Sequence, residues 1–372
     1  MHLQPRTYWH ANKECTPLRQ MRSLLRYLEK PLITTQRYKH KMAVEWYYRI
    51  NITTLWLKVK KNNFFKTHRK VIVISQVVHL GDIVACEPIV RQVRTENPDA
   101  FILFALHRNY RELADAFPEV DYVLPLICIS EWARFAGLAL FDKIYDLNIY
   151  GRSCEICKVP WLKSDGDRGI TTSNYYNFGN LLDIYCKTGG VTSSSVGPKL
   201  SPGEENIEVV SKLNLPDKFV VLHAGSNEQD RELPVSALCS IIKHINTTWG
   251  LPVIEIGLKH LAIAAEDKVN RSLCSNLSIL QSAEVIRRSV LYLGTDSGPA
   301  HMANAVGTYG IIVLGHYRHF CNYMPYSGDY ANSIRSELLY HDGPVAEMPV
   351  ARVIDAIDRR LTVLGETELR SS

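Results

Sequence analysis

From Lys70 onward the chain repeats one rhythm: a short run of β-branched and apolar residues, a helix-like stretch, then another run. "KVIVIS" opens it, and strands are expected at 71–75, 100–105, 121–126 and 143–147, with helices around 83–96, 109–116 and 130–140. Strands alternating with helical patterns read as βαβ units on a largely parallel sheet. The rhythm stops at "KTGGVTSSSVGPKLSPGEEN", Lys187 to Asn206, whose Gly, Ser and Pro content marks a linker. It then restarts, with strands expected at 219–223, 252–256, 290–294 and 310–314, and helices at 234–249, 260–272, 282–288 and from Pro299. Val350, Val353, Ile354, Ile357 and Leu361 make a last amphipathic helix, expected to pack back across both halves. The 372 residues suit two cores rather than one. The expected fold is therefore α/β, with two doubly wound domains facing a cleft. Their boundaries fall at 70–200 and 201–349, after an extension at 1–69 and before a helix and tail at 350–372. The carboxyl ends of both sheets then border a common crevice, where ligands of open α/β sheets bind.

Charge is distributed unevenly. Residues 1–70 hold 16 of the 43 Lys and Arg but only three of the 38 acids, which makes the extension basic and leaves the rest mildly acidic. Met42 to Lys70 interleaves aromatic and basic residues, and Trp46, Tyr47, Ile50, Leu55, Trp56 and Leu57 fit one broad helix face. Two readings fit such a helix: contact with a membrane surface through residues 42–70, or cover for apolar surface on the body. Nucleic acid is the less favoured partner, because only the extension is basic.

With 46% hydrophobic and 22% charged residues, disorder throughout is excluded. Nine cysteines, an odd number scattered along the chain, fit reduced thiols better than a disulfide framework. Cys154 and Cys157 form one CxxC, but no second pair stands at zinc-site spacing and only Cys186 lies close downstream, so no metal is expected. "MHLQPRTYWHANKE" lacks the apolar core of a signal peptide, so a cytoplasmic location is expected, peripheral on the inner membrane face if the extension docks there.

Three strand exits could carry chemistry. In "VVHLGDIVACEP", Gly81 permits a turn other residues resist, and Asp82 stands where a carboxylate acts as a general base or simply favours a helix start. In "VVLHAGSNEQDRELP", Gly225 and Ser226 make a tight exit whose amides can approach a phosphate, and Arg231 offers a planar cation for its oxygens; an ordinary surface loop reads equally well. In "LYLGTDSGPAHMANAVG", a helix starting near Ser297 and Gly298 would point free amides of Ser297, Gly298 and Ala300, with the Ser297 hydroxyl, at an anion. Asp296 would repel that anion, and more plausibly orients the turn, holds a sugar hydroxyl or pairs with a cation. His301 either reaches the same pocket or packs its helix on the sheet. No GxGxxG follows the first strand, which weakens a dinucleotide oxidoreductase reading, and the absence of GxxxxGK[ST] excludes a P-loop NTPase.

In this order, "GDIVACEP", "LHAGSNEQDRELP" and "DSGPAHMANAVG" resemble glycosyltransferase family 9, the heptosyltransferases of the lipopolysaccharide inner core; the likeness spans about Val71 to Gly315. The resemblance implies a GT-B fold of two Rossmann-like domains. It also implies a nucleotide-sugar donor, ADP-heptose, held mainly by the second domain, and transfer with inversion to a glycan or glycolipid acceptor without a required metal or cofactor. Asp82 matches the family's catalytic aspartate, with Gly81 beside it on the acceptor side. Asp296, Ser297 and Gly298 match the donor-binding turn. Arg231 stands where many members carry a lysine ahead of Trp-Pro, here Leu233 and Pro234. After the last expected strand, "LGHYRHFCNYMP" replaces the common Gly-Pro-Thr, which leaves room for a different nucleotide sugar and a capsular or lipid-linked acceptor. A catalytically silent glycan-binding relative is a further alternative, which the intact Asp82 and Asp296 to Gly298 disfavour.

Overall fold

Two wholly parallel sheets carry the chain, each built around a strand too apolar to face water on either side. The computed structural model describes residues 17–371 apart from 66–68, 163–168, 193–195, 227 and 264–268. The first sheet has the order β3-β2-β1-β4, from β1 (Val71–Ser75), β2 (Phe101–His107), β3 (Tyr122–Leu126) and β4 (Lys143–Asp146). All five residues of β1 are buried, as expected of a parallel strand covered on both faces. The single helix expected at 83–96 is two, α2 (Leu80–Ala85) and α3 (Glu87–Glu96). They part at Cys86, which puts Pro88 in a first turn, where its missing N–H costs nothing. Helices α4 (Arg111–Asp115), α5 (Ile129–Phe135) and α6 (Leu181–Gly189) complete this layer.

After α7 (Glu204–Ser211), the second sheet runs β10-β9-β8-β5-β6-β7. Its strands are β5 (Val220–His223), β6 (Val253–Glu255), β7 (Arg271–Ser272), β8 (Leu291–Thr295), β9 (Gly310–Leu314) and β10 (Ser336–Tyr340). Its helices are α8 (Val235–Trp249), α9 (Ile279–Arg288), α10 (Gly298–Val306) and α11 (Val350–Ser371). The helix expected at 260–272 is not what ends there: Arg271 and Ser272 pair with β6 as a strand, and residues 264–268 lie outside the described ones. Strand β10 was missed because it is an edge strand with Ser336 and Glu337 in place of an apolar run.

Among the described residues, the last helix packs on the second half. Val353, Ala356, Ile357 and Leu361 of α11 are buried in one core with Leu238, Ile241 and Ile245 of α8. Asp358 accepts from Trp249 Nε1 at 2.7 Å and contacts His244 Nε2 at 2.7 Å. Within the stretch expected as a linker, Arg91 donates to Gly197 O at 3.1 Å and the Lys199 amide to Glu87 at 2.8 Å.

Within the basic extension the described residues include a helix, α1 (Pro17–Phe65), whose second half belongs to the first layer. Val44, Leu55 and Val59 are buried, with Tyr48 packed against Phe135. Asn51 donates to Pro125 O at 2.7 Å and to the buried Glu131 at 3.0 Å. The one broad face expected here is two. Leu55 points inward, whereas Tyr38, Met42, Trp46, Ile50, Trp56 and Leu57 are exposed and fall within roughly a third of the helix circumference at about 100° per residue. Tyr47 lies between, under the Arg108 guanidinium.

Each sheet reverses strand order beside its first strand. β1 has β2 on one side and β4 on the other; β5 has β6 and β8. The loops leaving β1, β4, β5 and β8 therefore open the two crevices where a ligand fits an open parallel sheet.

Candidate active site

Asp82 lies in the first turn of α2, just past β1, and is buried. The positive φ at this exit belongs to His79 (φ 43), not to Gly81, which is helical. Gly81 is needed for another reason: a Cβ there would meet His301 Cδ2 at 2.6 Å. Both Asp82 oxygens are engaged. Arg152 Nη1 donates to Oδ2 at 2.9 Å, and the Tyr185 hydroxyl donates to Oδ1 at 2.5 Å. Burial pushes the Asp82 carboxyl up, but Arg152 first, then His79, Tyr185 and His301, outweigh it and hold it below the usual range. Asp82 is thus an ionised carboxylate held by an arginine from the exit of β4, the neighbouring strand across the switch point.

In the second layer Asp296 follows β8 and is saturated by protein groups. Arg231 Nη2 donates to Oδ2 at 2.7 Å and also to the backbone carbonyl of Asp296. The Tyr323 hydroxyl donates to Oδ2 at 2.8 Å and that of Tyr326 to Oδ1 at 3.1 Å. Of the three roles open to Asp296 in the sequence, pairing with a cation is the one the geometry displays. Arg231 also sits over the Tyr317 ring, 4.9 Å from its centroid, and its buried Nε has no partner among the described residues.

Ser297 is the N-cap of α10, with Pro299 in the first turn. Two of the four expected anion donors are already used. The Ala300 amide closes on Ser297 O at 3.1 Å, and the Ser297 hydroxyl contacts Thr295 O at 3.1 Å and His223 Nδ1 at 3.2 Å. Burial pushes the His223 imidazole down to about 4, so it is neutral near pH 7. At the exit of β5 the Ser226 amide donates to Glu232 at 2.6 Å, so the Gly225–Ser226 turn is capped by its own loop.

The two layers touch at the sites themselves. Helices α2 and α10 pack with Gly81 against His301 and Gly298 against Leu80, whose Cδ2 would lie 2.5 Å from an added Cβ. His301 is buried, with Nε2 at 3.9 Å from Asp296 Oδ1 and its ring 4.7 Å from that of Tyr326. Burial lowers its affinity for a proton, while Asp296 and Asp82 raise it. His301 therefore stands between both carboxylates and packs its helix at once. Tyr323, which holds Asp296, lines with Tyr176 and Phe320 a cavity of about 360 Å³ that extends to His319 and Asn180. Arg152, Tyr185, Tyr323 and Tyr326 were not singled out in the sequence. Arg152 carried a local sign, following Gly151 past β4 at the carboxyl edge of the sheet, and Tyr323 lies within the "LGHYRHFCNYMP" departure.

Residues 255–333 match the family model for glycosyltransferase family 9 (heptosyltransferase), a stretch that contains Asp296, Ser297, Gly298 and His301. The chain is a glycosyltransferase, similar to family 9. No curated protein sequence matches it. Among solved structures, it is similar to a family 9 glycosyltransferase from Veillonella parvula, with 18% identity, TM-score 0.59, and 79% of this chain and 97% of that one covered. It is similar also to E. coli ADP-heptose LPS heptosyltransferase II, with 16% identity, TM-score 0.58, and 80% and 99% covered. E. coli heptosyltransferase WaaC with ADP follows at 12% identity and TM-score 0.53, with 78% and 99% covered. At these identities the structures establish the fold, GT-B, as the motifs implied.

Arg152 makes a pH-dependent prediction. In wild type the acid limb of kcat/KM should lie below the ordinary carboxylate range, because Asp82 stays ionised until pH falls through its lowered pKa. Arg152→Met leaves burial with its main opponent removed, so the limb should move to higher pH. An acid limb at the same pH in both proteins would show that Asp82 is not the titrating group.

Proposed function

We propose that this glycosyltransferase moves a sugar, heptose from ADP-heptose, with inversion onto a lipopolysaccharide core or related bacterial glycan. The reading rests on one observation: Asp82 and the Arg231–Asp296 pair occupy the switch-point exits of two facing sheets and meet at His301. Asp82 takes the proton from the acceptor hydroxyl as it attacks the anomeric carbon. As an arginine-held carboxylate it is a weak base, which suits proton transfer late in bond formation. Arg231 and the amides of Ser297 and Gly298 at the start of α10 take the diphosphate and stabilise it as it leaves. Asp296 orients Arg231 rather than touching the donor, and no metal or cofactor is required for the transfer.

A second donor is favoured by the loop after β9. Tyr317, Phe320 and Tyr323 form an aromatic cluster with Tyr175 and Tyr176 where the family commonly has Gly-Pro-Thr. Such a wall suits a different sugar or base. Thermal-shift titration with ADP-heptose against other nucleotide sugars separates the readings, since a ligand of the folded state raises its apparent Tm. ADP-heptose should give the largest rise and then support transfer. A larger rise with another nucleotide sugar would replace it as donor, and no rise with any would remove the donor site.

The outer face of α1 would bring the enzyme to its glycolipid acceptor at the cytoplasmic face of the membrane. Trp46, Ile50, Trp56 and Leu57 are exposed together, with Lys60 over the Trp56 ring, the amphipathic pattern of an interfacial helix. No helix among the described residues is long and apolar enough to cross a membrane. Co-sedimentation with anionic vesicles should fall several-fold in Trp46→Ser/Trp56→Ser, whereas equal sedimentation would leave this face without that role.

A further inference from the structure

Three segments far apart in the sequence bring one imidazole and three thiols together. His40 is on α1, Cys128 immediately precedes α5, and Cys154 and Cys157 lie in the segment beyond β4. His40 Nε2 is 3.4 Å from Cys128 Sγ and 3.6 Å from Cys154 Sγ, and all four candidate ligand atoms lie within 4.8 Å of one another. A tetrahedral ion with nitrogen at about 2.05 Å and sulfur at about 2.3 Å sets N···S near ~3.6 Å and S···S near ~3.8 Å. The observed nitrogen–sulfur spacings therefore match those of a ligand shell. All three cysteines are free, Cys128 is buried and the others are half-buried, so the set is closed to solvent on one side.

The local backbone supports the same reading. Ser153 bridges Pro160 antiparallel, the Lys158 amide donates to Cys154 O at 2.9 Å, and Lys158 turns the chain with φ 56. The CxxC thus sits in a tight knuckle that points both sulfurs the same way. The Ser130 hydroxyl lies 2.7 Å from Cys128 Sγ and 3.8 Å from Cys157 Sγ, an outer group of the kind that orients thiolate ligands. The CxxC was set aside in the sequence for want of partners downstream, but its partners precede it by 26 and 114 residues.

We propose that His40, Cys128, Cys154 and Cys157 hold a structural zinc ion. Three thiolates and one imidazole at these spacings select a soft-ligand tetrahedral ion and leave no position open for catalysis. The ion joins α1 to the first sheet and closes the knuckle whose base carries Arg152. The backbone of Arg152 accepts from the Trp161 amide at 2.7 Å, and its side chain holds Asp82. Zinc is thus a positioning device for the Asp82 partner, separate from the transfer chemistry.

Metal analysis of the full chain purified under reducing conditions tests this without any substrate, so its failure leaves the sugar-transfer reading standing. One equivalent of zinc is expected in wild type and in Cys239→Ser, an exposed cysteine elsewhere, and background zinc in Cys154→Ser/Cys157→Ser. Cobalt substitution of wild type should give the visible bands of a tetrahedral thiolate site, which keeps the test independent of whether the variant folds. A strong chelator should lower the wild-type Tm. Wild type without stoichiometric metal, zinc retained in the double variant, or a disulfide among Cys128, Cys154 and Cys157 in the non-reduced protein would each overturn the proposal. One equivalent of iron in place of zinc would overturn the assignment of the ion.

Discussion

Asp82→Asn is expected to lower turnover by about 10² to 10⁴, the usual worth of a positioned general base, while donor binding persists. Asparagine is the informative substitution because its carbonyl keeps an acceptor for Tyr185 or Arg152 in a site where both are buried or nearly so. Alanine would also abolish the base, but it leaves the Arg152 guanidinium without its carboxylate. Breaking a buried pair from one side costs about 3–5 kcal/mol, which would mix a folding defect into the kinetics. Single-turnover transfer, with calorimetric titration of the donor, separates the two effects. Wild-type turnover in the Asp82→Asn variant would remove Asp82 as the base and leave it as a holder of Arg152.

Removing Arg231 is expected to act twice. Its side chain is 17% exposed and that of Asp296 is 8%, so Arg231→Ala strands a carboxylate in a dry site. The cost should approach the same ~3–5 kcal/mol, reduced by the hydroxyls of Tyr323 and Tyr326 that still donate to it. The Tm without ligand should fall by several degrees. Separately, the rise in Tm on adding ADP should shrink, because the cation meant for the diphosphate is gone. Ser297→Ala should weaken the nucleotide less, since its hydroxyl is already spent on Thr295 O and His223. Unchanged ADP affinity in both variants would sink the diphosphate site, whatever happened to stability.

Much of the fold was legible because buried parallel strands leave an unmistakable trace. "KVIVIS", "VVLH" and "GIIVL" are strands in the structure at or within a residue of the expected limits. The candidate residues were legible for a related reason: glycine and acid at a strand exit mark the carboxyl edge of such a sheet. Strands β10 and β7 left no such trace: β7 has two polar residues open to solvent, and in β10 Ser336 is buried with its hydroxyl donating to Tyr330 O at 2.8 Å, a partner the local pattern does not announce. Gly81 was noticed for the wrong property, a permissive turn, when what it supplies is the missing Cβ that lets His301 approach.

By itself, the sequence determined two α/β layers, the three strand exits that face the crevice, and the likeness to family 9 glycosyltransferases. Each of these is written in neighbouring residues, where periodicity and turn chemistry act. Only the tertiary structure decided which partners those exits received. Arg152 and Tyr185 reach Asp82 across 70 and 103 residues, and Tyr323 and Tyr326 close on Asp296 from a loop that the motifs leave out. The two faces of α1 and the meeting of His40 with three cysteines were settled in the same way. Buried charges and thiols take their character from whatever the fold places within a few ångströms, and chain order carries no record of that distance.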